Sequence, residues 1–294
     1  MSLPVVEEVS PGAADLRRPL EEGRILLFPP SALELPEDDV SFLLSQRQSD
    51  ARYHKNIAYR PGQDRISGVA SGDDADRRRL RRVLGEYSRR AVSFTAAVVP
   101  DYARGWKVDY ASFRPVEEEG RDLPLRARND LVHVDAFPTR PSGGDRILRV
   151  FTNVNPVAPR VWKSAGTFDD LAGRFAVSSG LLARAQRPRP WDLLRRFGRR
   201  LGLPLVVRSP YDRFMLSFHH FLKENRAFQE EAEKATLSFP PGTTWMVFTD
   251  MVSHAVLSGR FALEQTFIVA RETLALPHRA PIAILERIAG APMA

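Results

Sequence analysis

Strand-like runs stand on both sides of a long helical stretch, and that order restricts the folds open to the chain. Residues 108–114, 131–135, 147–154 and 160–162 read as short strands, separated by Pro138, Pro141, Gly143, Gly144, Pro156 and Pro159. Residues 168–235 return to helical periodicity, with Phe214, Phe218, Phe221, Leu222 and Phe228 in an amphipathic stretch. Residues 243–249 and 261–269 are strand-like again. Late strands must therefore join early ones across a helical insert at 168–235. The pattern predicts a single α+β domain over 1–294, built on a double-sheet barrel or jelly roll with flanking helices, and not a βαβ fold.

Outside this region, residues 1–22 are polar and read as a leader. Residues 24–28 read as a strand stopped by Pro29 and Pro30, and residues 60–76 as loop. Leu80, Val83, Leu84, Tyr87 and Ala91 have helical spacing behind Asp73, Asp74 and Asp76. The outer face of that helix carries Arg77, Arg78, Arg79, Arg81, Arg82, Arg89 and Arg90, either a phosphate-binding face or a solvated one.

Composition limits the chemistry. No cysteine is present, so disulfides, zinc fingers, iron–sulfur clusters and thiol nucleophiles are excluded. The net charge is +7, with 43 basic and 36 acidic residues, which admits phosphate-bearing partners. No interleaved aromatic and basic motif points to nucleic acid. No run approaches the roughly 18–20 apolar residues of a membrane span. The first eight residues lack the apolar core of a signal peptide. The expectation is a cytoplasmic protein, soluble or peripheral.

His133-Val134-Asp135 is the informative triplet. On a strand, residues i and i+2 share a face, so an imidazole and a carboxylate stand side by side. With one more histidine they make the 2-His-1-carboxylate triad of non-haem Fe(II) oxygenases. His54, His219, His220, His254 and His278 are the candidates. His254 follows the 243–249 strand and precedes a Ser258-Gly259 turn, then Arg260 and the last strand. That order suits an iron/2-oxoglutarate site, with Arg260 holding the far carboxylate of 2-oxoglutarate through a two-point guanidinium contact.

Four segments carry a resemblance. They are Ser112-Phe113-Arg114-Pro115-Val116-Glu117, then 131–138, 146–156, and 245–259 with its Trp245-Met246-Val247-Phe248-Thr249-Asp250 start. They resemble the Kdo hydroxylase family over about 24–269. The resemblance implies an Fe(II)/2-oxoglutarate dioxygenase using O₂, with a double-stranded β-helix and iron on His133, Asp135 and His254. It implies hydroxylation of 3-deoxy-D-manno-oct-2-ulosonic acid (Kdo) at C3 in Kdo-lipid A, an inner-core lipopolysaccharide precursor, giving Ko. The spacing from His254 to Arg260 is short for this superfamily, so Arg149 is the alternative anchor and Asn153 a cosubstrate hydrogen-bonding candidate. Arg114 and Arg140, and less directly Lys55 and Asn56, are candidates for the sugar acid.

Residues 184–213 hold nine arginines against two aspartates. Trp191, Leu194, Phe197 and Leu201 share one helical face beside Arg195, Arg196, Arg199 and Arg200, a pattern suited to an anionic membrane surface. Competing readings are a prolyl or amino-acid hydroxylase of the same chemistry and a non-catalytic, metal-binding jelly-roll module.

Overall fold

The structure is a computed structural model describing residues 3–9, 15–49, 56–70, 73–187, 198, 201, 203 and 205–294. Lys55, His54 and the helix expected over 191–201, apart from Gly198 and Leu201, lie outside the described residues.

The chain runs β1 (Val6–Glu8), α1 (Arg17–Glu21), β2 (Ile25–Phe28), α2 (Glu37–Ser45), β3 (Ile57–Arg60), β4 (Arg65–Ser67), α3 (Asp74–Val98), α4 (Pro100–Ala103) and β5 (Trp106–Arg114). It continues with β6 (Arg146–Asn153), β7 (Arg160–Ser164), α5 (Phe168–Phe175), α6 (Leu181–Gln186), α7 (Pro210–Glu224) and α8 (Arg226–Glu231). Strands β8 (Ala235–Phe239), β9 (Thr244–Phe248), β10 (Ala255–Ser258) and β11 (Ala262–Val269) follow, then α9 (Pro281–Ala289). Among the described residues these strands form two sheets. One has eight strands in the order β1-β2-β9-β6-β11-β5-β3-β4, the other three in the order β10-β7-β8. All pairings are antiparallel except β1 with β2. The late strands β9 and β11 flank the early strand β6 and close the large sheet across the helices, as the order of runs required.

Two sequence expectations are corrected. The described parts of the segment read as a leader pack into the fold: Val6 pairs with Ile25, and Leu16 and Leu20 are core residues. Glu21 is fully buried and accepts hydrogen bonds from Tyr102 Oη (2.6 Å) and Ala275 N (2.9 Å). Within the stretch read as loop, the end of β3 and all of β4 form a hairpin, with Tyr59 and Ile66 buried. Gly and Asp residues around these short strands mask their pattern.

Helix α3 starts where the aspartates place it, with the Asp73 carboxylate accepting from Ala75 N at 3.0 Å. Its buried stripe is Leu80, Val83, Leu84, Tyr87 and Ala91. Much of the arginine face is ion-paired: Arg82 with Asp39, Arg81 with Asp64, Arg89 and Arg90 with Glu86.

Strand alternation creates the functional face. On β6, Leu148 and Val150 enter the core shared with α3, while Arg149 and Phe151 point to the other side. On β5, Ala111 and Phe113 enter that core, while Tyr110, Ser112 and Arg114 face outward. On β11, Leu263 and Phe267 alternate with Glu264 and Thr266. The polar set lines a cavity of about 470 Å³ closed on another side by Arg160 and Trp162 of β7. Beside it, Phe151, Trp162, Phe239 and Trp245 pack between the sheets, with the Phe239 and Trp245 rings stacked at 4.1 Å.

Candidate metal and cosubstrate site

His133, Asp135 and His254 meet at this cavity, with one ligand atom of each within 4.8 Å of the others. All three are buried. His133 Nε2 lies 3.8 Å from Asp135 Oδ1, and His254 Nε2 lies 3.8 Å from Asp135 Oδ2. His133 Nδ1 contacts Leu131 O at 2.7 Å and His254 Nδ1 contacts Val252 O at 3.0 Å. A carbonyl only accepts, so each Nδ1 carries the hydrogen and each Nε2 presents a lone pair toward Asp135. Asp135 Oδ2 is buried and makes no well-aligned hydrogen bond, its near charged neighbour being Arg149 Nε at 3.2 Å. Two neutral imidazoles and an ionised carboxylate with an unmet acceptor are a donor set suited to Fe(II). The Trp162 ring lies 28° from parallel to His254, with centroids 5.2 Å apart, and restrains the imidazole.

The ligand segment is less regular than expected. Residues 131–135 form no strand; His133 makes an isolated bridge to His254, with reciprocal backbone bonds of 3.1 and 2.8 Å. Asp135 N donates to Thr249 O at 2.8 Å. Side chains from the helices hold the other edge. Gln229 on α8 accepts from Val132 N at 3.0 Å and donates to Val132 O at 2.9 Å, as a neighbouring strand would. His219 on α7 contacts Val134 O through Nδ1 at 2.8 Å, its ring edge-on to His133. His219, one of the candidates for the third ligand, instead lies against the ligand segment. Gln229→Leu leaves both Val132 backbone groups without their amide partner. Chelator competition should show metal affinity weakened about 10- to 100-fold, the scale found for groups that orient ligands. Unchanged affinity would show that the bridge to His254 holds the segment alone.

Burial keeps the imidazoles neutral. It lowers His133 well below its ordinary value, with Lys223 adding to the shift, and it lowers His254 against the opposing pull of Asp135. Burial with Lys223 nearby brings His219 down to about 3. Burial would raise Asp135, but Arg149 and His254 outweigh it and hold the carboxyl below the ordinary range. Arg149 Nε sits 3.2 Å from Asp135 Oδ2, and its Nη1 lies 2.9 Å from Glu264 Oε1. Glu264 Oε2 in turn accepts from Arg114 at 2.8 Å, and Arg114 Nη1 reaches Glu118 at 3.4 Å. Alternating charges thus continue from the ligand carboxylate across β6, β11 and β5.

Arg149 of β6, Arg114 of β5 and Arg160 of β7 line the cavity, and of these only Arg160 lacks a carboxylate partner among the described residues. Arg160 is 1% exposed. Its Nη1 donates to Gly259 O, and its Nε has no partner. Burial, with the Arg114 charge nearby, lowers it to about 10. A buried guanidinium in this state is stabilised by an anion. Ser112 Oγ and Trp162 Nε1 line the same cavity, also buried and without partners, and mark it as a polar ligand's site.

The structure places the expected cosubstrate residues as follows. Arg260 is exposed, donates through Nε to Pro115 O at 3.0 Å, stacks on Phe261 and does not line the cavity. Asn153 is fully buried, donates to Ala158 O and Phe239 O and accepts from Asn155 N, which fixes the loop after β6. Arg149 lines the cavity but is engaged by Asp135 and Glu264. The Gly259 turn does deliver an arginine. At φ +104° it approaches so closely that a Cβ would sit 2.6 Å from Arg160 Cα, and the arginine comes from β7. No sequence spacing reports that approach.

Of the substrate candidates, Asn56, Arg114 and Arg140 line the cavity. Arg114 is buried in its carboxylate pairs. Arg140 pairs with Asp109 and lies over the Tyr110 and Phe137 rings, near the cavity's outer part.

A family model for 3-deoxy-D-manno-oct-2-ulosonic acid (Kdo) hydroxylase matches residues 6–292. The chain belongs to the Kdo hydroxylase family. Among solved structures, the Kdo hydroxylase KdoO, a non-heme Fe(II) α-ketoglutarate-dependent dioxygenase bound to α-ketoglutarate and Fe(III), is 32% identical with a TM-score of 0.82. The match covers 100% of this chain and 98% of that one. The apo structure of KdoO also matches at 32% identity and 0.82, covering 99% and 97%. Its cobalt(II) complex matches at 32% identity and 0.80, with the same coverage. No curated protein matches the chain. As a member of this family the chain is an Fe(II)/2-oxoglutarate-dependent dioxygenase, and a non-catalytic role is set aside.

Proposed function

We propose that the protein hydroxylates Kdo at C3 within Kdo-lipid A, giving Ko, at the cytoplasmic face of the membrane. The observation that carries this reading is the buried His133–Asp135–His254 triad beside a cavity with an unpaired buried arginine, in a chain of the Kdo hydroxylase family. The two facing sheets with the site between them support a double-stranded β-helix over a single domain.

Bound Fe(II), 2-oxoglutarate and O₂ supply the oxidising chemistry that inserts oxygen into a C–H bond and releases succinate and CO₂. The protein supplies the geometry. His133, Asp135 and His254 hold the metal on one side. Arg160, with Ser112 and Trp162 nearby, takes the distal carboxylate of 2-oxoglutarate. Arg149 keeps Asp135 ionised. Arg140, Asn56 and Arg126, all in the cavity lining, face the sugar acid. The apolar walls at Ala136, Phe137, Phe151 and Val256 exclude water from the reacting carbon.

No helix among the described residues is long and apolar enough to cross a membrane. Leu201, Leu203 and Leu205 are 66%, 53% and 38% exposed within the arginine-rich 184–213 segment, which supports a peripheral contact with an anionic surface. Protein reconstituted anaerobically with Fe(II), then given 2-oxoglutarate, O₂ and Kdo-bearing lipid A, should add one oxygen atom to the sugar with one succinate formed per product. Mass spectrometry of the lipid reads this directly. Iron-loaded protein that leaves the lipid unchanged overturns the substrate assignment.

A further inference from the structure

A second cavity, of about 430 Å³, adjoins the first: Arg126 and His220 line both. Its wall is a continuous stripe of α7, Arg213, Ser217, His220, Phe221 and Glu224, at the three- and four-residue spacing of one helix face. Arg184 of α6 stands across from that stripe, and Arg126 joins from the loop before the ligand segment. Three guanidinium groups and a histidine thus share the cavity with one carboxylate. That carboxylate, Glu224, is taken by Arg126 at 2.5 Å. Arg213 is anchored by backbone carbonyls, donating to Ala185 O at 2.7 and 2.9 Å and to Arg208 O at 3.1 Å. These bonds fix its position in the cavity wall. Arg184 donates to Ser179 O at 3.2 Å, and no carboxylate among the described residues lies within ion-pair distance of it. Leu181, Ala185 and Phe221 give the cavity apolar walls, which strengthen the field of the guanidinium groups.

We propose that this second cavity is an anion subsite of the substrate groove. It takes a second acidic group of the glycolipid while the reacting sugar occupies the first cavity. The inference rests on the reading of the substrate as a Kdo-bearing phosphoglycolipid. The shared chemistry is a cluster of anionic oxygens, either a phosphate of the lipid or the carboxylate of an adjoining Kdo. Guanidinium groups match both through paired N–H donors. A small Kdo glycoside fills only the first cavity, so the subsite makes the enzyme selective for the assembled glycolipid.

The test compares wild type with Arg184→Ala and Arg184→Glu. Arg184 is solvent-facing, lies outside the first cavity and bonds one backbone carbonyl, so the fold tolerates its change. The substrates are phosphorylated mono-Kdo glycolipid, the same lipid dephosphorylated, dephosphorylated lipid with two Kdo units, and Kdo methyl glycoside. Arg184→Ala should raise KM about tenfold, the scale of one hydrogen bond to a charged group, for the lipid carrying the recognised anion. Arg184→Glu should raise it further, while kcat stays within twofold. A rise with the phosphorylated lipid alone assigns phosphate; a rise with the two-Kdo lipid alone assigns the carboxylate. Equal rises on every substrate, the methyl glycoside included, or no rise on any, overturn the subsite. Binding of glucosamine 1-phosphate and of free Kdo, followed by NMR titration of the holoenzyme, gives a readout independent of turnover. A wild-type protein that binds either probe at α7, with the binding lost in Arg184→Glu, keeps the subsite even if no Kdo lipid is hydroxylated, in which case the substrate reading alone fails. Binding insensitive to Arg184, or absent, overturns it.

Discussion

Asp135→Asn protein should fold, hold no Fe(II) after dialysis and form no measurable succinate. The substitution keeps the shape of the side chain and removes its charge. Two neutral imidazoles then remain, with a weak amide oxygen where the metal needs a carboxylate. The geometry explains why the loss falls on the metal and not on the fold. Arg149 keeps Glu264 at 2.9 Å as a partner, and the backbone bond from residue 135 to Thr249 O is untouched. His133→Ala should have the same consequence, because His254 and Asp135 supply only two ligands. Metal content and succinate yield check both variants, with circular dichroism confirming the fold. A folded Asp135→Asn protein that retains iron and full turnover would remove the triad from the mechanism.

The second large effect belongs to Arg160. Arg160→Met keeps the volume of the side chain and removes a buried cation that has no carboxylate partner among the described residues. Without 2-oxoglutarate the variant should melt at or above the wild-type temperature, because a well-packed apolar group replaces an uncompensated charge. With 2-oxoglutarate it should bind the cosubstrate at least about 30-fold more weakly, from the roughly 2–5 kcal/mol lost when one partner of a buried, hydrogen-bonded charge pair is truncated. Metal content should be unchanged, which separates this variant from Asp135→Asn. Arg260→Ala, on the surface at Pro115 O, should leave 2-oxoglutarate affinity near wild type. A larger loss in Arg260→Ala than in Arg160→Met would restore Arg260 as the anchor. The contrast between stability and affinity is the signature of a residue placed for a ligand: its burial costs the empty protein and is offset when the anion arrives.

The legible parts of the sequence share one property, a local period. The stripe of Leu80, Val83, Leu84, Tyr87 and Ala91 recurs every three or four residues, and α3 forms where it lies. Strands β5, β6, β9 and β11 fall within a residue or two of the runs that mark them. The pairing of His133 with Asp135 was readable because two residues apart means the same side, even though the segment forms only one bridge. One further signal was available. Polar residues at every second position, Ser112 and Arg114 on β5 and Glu264 and Thr266 on β11, mark a single polar face on otherwise apolar strands. Strands β8 and β10 carry no such mark; β8 alternates buried and exposed residues over a short length next to a charged run, and β10 is four residues long.

What the sequence determined by itself was the class of chemistry and the identity of the metal ligands. Without cysteine a metal had to be held by nitrogen and oxygen, and a histidine and aspartate two apart, with a late histidine before a glycine turn, form that donor set. The tertiary structure decides which arginine is left at the cavity with an unmet donor and no carboxylate partner among the described residues. Arg149, Arg160 and Arg260 are chemically identical in sequence, and their roles are set by partners distant along the chain. Asp135 and Glu264 occupy Arg149, a backbone carbonyl holds Arg260 at the surface, and the close passage of Gly259 over β7 leaves Arg160 buried with an unmet donor. Charge neutralisation inside a protein depends on which groups are packed together, and only the fold supplies that.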